Sequence, residues 1–177
     1  MATDDREAMV ATLRKMGIGF LAPGDAETDR SISPPDLIRA LVTQPDPRLR
    51  LALVALFLRR PDLASCVPEL ASALDQDAVL DLQTLYTAAV YLQRLWRTRL
   101  GLYLGDFRAL PDYYSEDLAL PPPDERFGKA GLYALTQAWA ARSTYPYNRL
   151  ASLNKTVELL FDQLYHEAMA YESTSGS

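Results

Sequence analysis

Apolar residues recur at intervals of three and four along most of the chain, with no sustained period-two alternation, so the pattern predicts helices and no sheet. The cleanest stripe is Leu150, Leu153, Val157, Leu160, Phe161, Leu164 and Ala168, which predicts an amphipathic helix from an Asn148 cap to about Tyr171. The longest stripe joins Leu82, Leu85, Tyr86, Ala89, Leu92 and Trp96, widened by Val79, Tyr91 and Leu95, over about Asp77 to Arg99. A helix that apolar has to be covered on more than one side.

The other helices are marked by their ends. An N-terminal helix starts at Thr3 or Asp4 and stops at Gly17 and Gly19, before the polar loop LAPGDAETDRS. Ser33-Pro34-Pro35-Asp36 is a helix start, because the serine oxygen can accept exposed N–H groups and proline in the first turn loses no hydrogen bond. Pro61 ends the helix that begins near Pro47, and Asp62 opens another that reaches Leu74. A further helix runs from about Asp124 to Arg142, where Ala130, Gly131, Ala134, Ala138 and Ala141 predict a close helix–helix approach. STYPYN separates it from the last helix.

Residues 101–128, GLYLGDFRALPDYYSEDLALPPPDERFG, are too apolar for disorder and too rich in proline for one regular element. They predict a structured crossover anchored by Tyr103, Phe107, Tyr113 and Tyr114. The whole reads as one all-α domain over residues 1–172, a helical bundle of six or seven helices. Within it lie an N-terminal helix (1–20), helical hairpins (33–100), the irregular crossover (101–127) and a C-terminal helix pair (124–171), followed by a disordered tail (173–177).

The hairpin segment carries a faint repeat. Pro35-x-Leu37-x-x-Ala40-Leu41 returns as Pro68-x-Leu70-x-x-Ala73-Leu74, and each copy leads through an Asp-containing turn into a longer, more apolar helix. With Asp46 at the turn, Leu49-Arg50 after it, and Ala52 and Ala55 along the helix, residues 34–60 resemble a HEAT-type repeat unit. The resemblance implies that Asp46 and Arg50 order the turns between stacked units, and that the stack serves as a binding scaffold. Residues 62–99 follow the pattern less well, since Leu80-Asp81 stands where the aliphatic–arginine pair is expected.

Composition narrows the function without naming it. The chain has 177 residues, 49% hydrophobic and 23% charged, with a formal charge of −5 that disfavours polyanions as general partners. The eight apolar residues from Leu51 to Leu58 fall well short of the roughly 20 needed to cross a membrane. MATDDREAMV lacks a basic start and an apolar core, and Cys66 is the sole cysteine, so the expectation is a cytoplasmic protein without disulfides.

Candidate chemistry is sparse. Glu158, Asp162 and His166 share one helical face, but no second histidine or cysteine completes a metal site. Ser152-x-x-Lys155, Gly17-x-Gly19-x-x-Ala22 and Asn154-Lys155-Thr156 each match a motif outside the context that gives it meaning. The acidic groups Asp25-Glu27-Asp29 and Asp75-Asp77-Asp81 lack calcium-loop spacing. The expectation is a protein with no catalytic constellation, metal or cofactor.

The best candidate surface is Arg94, Trp96, Arg97, Arg99, Tyr103, Phe107 and Arg108. Arginines with aromatics suit a protein partner, as interface hot spots, or nucleic acid, through phosphate pairing and base stacking. The acidic total charge ranks a protein partner first, in an interaction module or an accessory subunit. Nucleic acid comes second, and a small ligand held under the crossover is a weaker alternative. Self-association as a homo-oligomer stays open.

Overall fold

Asp46 begins the central helix by accepting a hydrogen bond from the Arg48 N–H at 2.9 Å, with Pro47 in the first turn. In the computed structural model, which describes residues 2–22, 30–142 and 149–176, this helix is α3, Pro47–Arg59. Every residue from Ala52 to Leu58 is buried, so the segment is core on all sides. Its neighbours are α1 (Ala2–Lys15), α2 (Pro34–Val42), α4 (Val67–Ala73), α5 (Gln76–Leu95), α6 (Arg97–Leu104), α7 (Lys129–Arg142) and α8 (Arg149–Ser175). Short 3-10 turns cover Pro61–Cys66 and Glu125–Gly128, and among the described residues there is no strand.

The all-helical expectation holds, with eight α-helices among the described residues where six or seven are expected. The extra one is α6. The helix expected to reach Arg99 stops at Leu95, because the backbone leaves helical geometry at Trp96 (φ −104°, ψ 18°). Neither proline nor glycine marks that break. The Trp96 ring packs edge-on against Phe161 of α8, with centroids 5.7 Å apart, and α6 then lies over α8. The crossover expected from residue 101 is therefore helical to Leu104. The tail expected to be disordered from 173 is also helical through Ser175, with Ser173 and Thr174 hydroxyls donating to the carbonyls of Met169 and Ala170. The expected Asn148 cap, the STYPYN turn and most of the loop after α1 lie outside the described residues.

Helices α3 and α5 form the principal packing pair, with α2 and α4 also seated on α5, and α7 and α8 completing the bundle. The implied Asp46–Arg50 pair does not form as expected. Asp46 is spent on its cap, and Arg50 reaches across to Asp81 of α5 at 3.7 Å. The residue that departs from the repeat pattern is thus the acid that meets the arginine. Burial raises the Asp81 carboxyl above the usual range, and Arg50 offsets part of that.

Helix α5 is buried without interruption from Thr84 to Gln93. Its polar groups must find partners there, because an orphan costs more than a bond contributes. Thr84 and Thr87 donate to the carbonyls one turn back, Leu80 and Gln83. The others serve the irregular segment 105–124. Tyr86 Oη donates to the Pro111 carbonyl at 2.6 Å and Tyr91 Oη to the Pro121 carbonyl at 2.8 Å. Gln93 donates to the Arg108 carbonyl at 3.0 Å and accepts from the Leu110 N–H at 2.7 Å. Arg94 donates to the Leu110 carbonyl at 3.0 Å. The crossover's own bonds form local turns between residues 112 and 120, and α5 fastens the segment to the bundle with side chains.

The close approach expected on α7 is made at Gly131. A Cβ at Gly131 would overlap the Tyr91 ring, and one at Gly128 would overlap the Tyr91 carbonyl oxygen. Tyr91 is therefore clamped from both ends.

Two outcomes follow. Gly131→Ala should lower stability by about 1–3 kcal/mol in urea denaturation, because Tyr91 has no room to retreat. Burial pushes the Tyr86 and Tyr91 phenols above their ordinary range. The unfolded chain then loses these protons first, so stability is full below the ordinary phenol value of about 10 and falls as pH rises past it. Tyr86→Phe should lose about 1 kcal/mol at neutral pH and show a shallower alkaline decline than wild type. Equal alkaline slopes would show that this phenol does not govern the transition.

Candidate interaction surface

The seven residues singled out from sequence do not form one surface. Trp96, Arg99 and Tyr103 converge on Phe161, which is itself buried. The Arg99 guanidinium lies 4.1 Å from the Phe161 ring centroid, and the Tyr103 ring is tilted against it at 6.3 Å. These three fasten α6 to α8. Arg94 is a structural pin, its side chain 19% exposed, held by the Gln93 side chain, the Leu110 carbonyl and Asp124 at 3.4 Å. Arg108 is exposed, while its carbonyl is held by Gln93. Phe107 packs half-buried on the core.

Arg97 is different. It is exposed, and among the described residues it enters no ion pair. It sits where two depressions meet. One, of about 550 Å³, runs along α6 and the start of the crossover, between Thr98, Asp106, Phe107 and Asp124. This open, polar cleft lies at the crossover's edge, with charges of both signs around it. The other, of about 400 Å³, joins Arg97 to Arg126, Phe127 and Lys129. It continues through Leu95, Arg126 and Lys129 into a groove of about 620 Å³ on Ala130, Leu132, Tyr133 and Leu150.

Phe127 is the residue that the sequence pattern hides. In a helix starting at Asp124 it counts as an ordinary apolar position. In the structure it is 80% exposed on a left-handed turn, with φ 56° and ψ 39°, between Arg126 at φ 48° and Gly128 at φ 87°. The left-handed region costs an L-residue roughly 1–2 kcal/mol, and a large side chain left in water returns none of that. Local contacts determine this shape. Glu125 N–H donates to the Pro122 carbonyl at 3.1 Å, Phe127 N–H to the Asp124 carbonyl at 3.2 Å, and the Asp124 carboxylate meets Arg94. Gly128 then brings the chain against Tyr91, where no side chain fits.

The result is an aromatic ring held away from the body beside three cations, Arg97, Arg126 and Lys129, that enter no ion pair among the described residues. The apolar groove opens next to it, with Tyr133 exposed at its edge. The one sequence signal for this was the run ERFGK, where glycine follows an aromatic between basic residues just after three prolines and Asp124. His166, Asp162 and Glu158 are all exposed on α8, and the described residues contain no cluster of three or more groups able to hold a metal ion. No described helix is long and apolar enough to cross a membrane.

Because strain at Phe127 is not offset by burial, Phe127→Asn should raise stability by about 1 kcal/mol, since asparagine tolerates the left-handed region. Chemical denaturation reads this directly, and a loss of similar size would mean that the ring packs on the core. Compared with protein-family models, with curated proteins and with solved structures, the chain matches none, so its own geometry carries the functional reading.

Proposed function

We propose that this chain is a non-catalytic interaction module, acting as an accessory subunit that recognises an acidic, partly apolar segment of a protein partner. The recognition face is Arg97, Arg126, Phe127 and Lys129 with the adjoining groove on Leu95, Leu132, Tyr133 and Leu150. The observation that carries this reading is Phe127, exposed on a backbone that is costly to hold. Strain without burial is stability given up locally, and binding is the event that can recover it. In this reading the hairpins α2–α3 and α4–α5 act as a helical-repeat scaffold behind the face.

The surrounding charges favour protein over nucleic acid. Asp106, Asp124 and Glu125 are interspersed with the cations and would meet phosphates along the same path. The groove floor is aliphatic, which suits a leucine, methionine or tyrosine anchor better than a phosphodiester backbone.

Charge reversal tests it. Affinity capture with Arg97→Glu/Arg126→Glu/Lys129→Glu should lose the wild-type partner by at least about tenfold, because each like-charge contact disfavours the complex. Arg14→Glu/Lys15→Glu, on α1, should retain it. Full retention by the triple variant would remove this face as the site. Salt-sensitive binding of single-stranded nucleic acid, lost in the same variant, would replace the protein partner with nucleic acid.

A further inference from the structure

Helix α8 spans Arg149–Ser175, about 40 Å at 1.5 Å per residue. Its first part is core, with Leu153, Val157, Leu160, Phe161 and Leu164 buried. From Tyr165 onward every described residue is exposed, so the last eleven residues of the helix, about 16 Å, have one side or none against the bundle. A helix of that length is marginal in water without packing. Two groups tie its base to the body: Gln163 bonds the Gly17 carbonyl and Gly19 N–H, and Glu167 pairs with Arg59 at 2.9 Å.

The free part has a definite pattern. Asp162, Tyr165, Met169 and Glu172 follow at three, four and three residues and so share one face. Tyr165 is 51% exposed and Met169 47%. No lysine or arginine follows Lys155, whereas Glu158, Asp162, Glu167 and Glu172 do. With Glu167 spent on Arg59, the other three acids enter no ion pair among the described residues. This is an apolar stripe with an acidic border.

The groove beside α7 has the opposite character. Its floor is Leu95, Leu132 and Leu150, Tyr133 stands at its edge, and Arg126 and Lys129 border it, with Glu125 as the single acid. Leu150 and Asn154 bring the first turns of α8 into that groove, and Tyr165 and Met169 lie fifteen residues further along the same helix. That places them about 22 Å away along the helix, so while α8 is helical a chain cannot fill its own groove.

We propose that the occupant is a second copy of this chain: the Tyr165–Met169–Glu172 stripe of each protomer seats in the basic-rimmed groove of the other, closing a reciprocal dimer. This rests on the groove being a recognition surface, and it names one partner for it. Reciprocal exchange uses both stripes and both grooves, and so ends at two copies where one-way docking would continue into a chain. Opposed borders of charge set the pairing and make it weaken as salt rises. Phe127, in the depression that adjoins the groove, is then covered as the helix docks.

Sedimentation equilibrium tests this on the full chain. At about 100 µM and low salt the mass should double from 19.7 kDa, with a Kd on the order of 10 µM that weakens as salt is added. Arg126→Glu/Lys129→Glu alone, and Glu158→Lys/Asp162→Lys/Glu172→Lys alone, should each be monomeric. Mixed in equal amounts, they should form a heterodimer, because each then offers the other one native and one fully reversed contact. Folding is checked by the helical circular dichroism of each variant, and all five side chains are on the surface. A wild type monomeric at that concentration, species larger than a dimer, or two variants that stay monomeric when mixed would overturn the proposal. If the wild type is monomeric while the triple variant Arg97→Glu/Arg126→Glu/Lys129→Glu still loses a captured partner, the recognition face stands and only the second copy is wrong.

Discussion

A helix buried on every side has to bring partners for its own polar groups, and α5 does so by holding an irregular chain. From Tyr86 to Arg94, four side chains bind the main chain at Arg108, Leu110, Pro111 and Pro121. Each such bond is worth about 1 kcal/mol net, and leaving its groups unpaired in the core costs more. The dependence is mutual: the crossover satisfies α5, and α5 gives the crossover a fixed course. That course sets the rest. It delivers Asp124 to Arg94 and brings Gly128 against Tyr91, and Arg126 and Phe127 between them lie in the left-handed region.

The proposed recognition role and stability therefore compete at one place. The clamp of Gly128 and Gly131 around Tyr91 is close packing that any side chain would disrupt. Its far end is a ring in water on a strained turn beside cations. The bundle provides the stability that the turn gives up, and the turn provides a surface that the bundle alone lacks. Trp96 plays a related part. By breaking the long helix and packing on Phe161, it lays α6 over α8 and opens the depressions on either side of Arg97.

Much of the fold was legible in the sequence. The Ser33 cap, prolines at helix starts and ends, and three- and four-residue stripes located most helices, because those signals act within one turn of chain, while Asp46 and Asp75, read as turn residues, prove to cap α3 and α5. The break at Trp96 was hidden, since its cause is a ring on α8 and no local residue announces it. Arg50 shows the same limit. Its partner was expected four residues away at Asp46 and lies instead on another helix, at Asp81. The candidate surface was half legible. Arg97 was visible as part of a basic, aromatic run, but most of that run is spent holding helices together. Phe127 was invisible, because a helical reading makes it core and only the course of the crossover exposes it.

The account stands on the claim that α5 side chains fasten residues 105–124 to the bundle, while the crossover's own bonds form only local turns between residues 112 and 120. Hydrogen exchange at the Leu110 amide tests this most directly, because that buried N–H has the Gln93 side-chain Oε1 as its acceptor. The wild type should protect it nearly as well as the amides of α3, and Gln93→Leu should release it while α3 stays protected. Exchange at Leu110 as fast as in an open loop, in the wild type, would contradict the account.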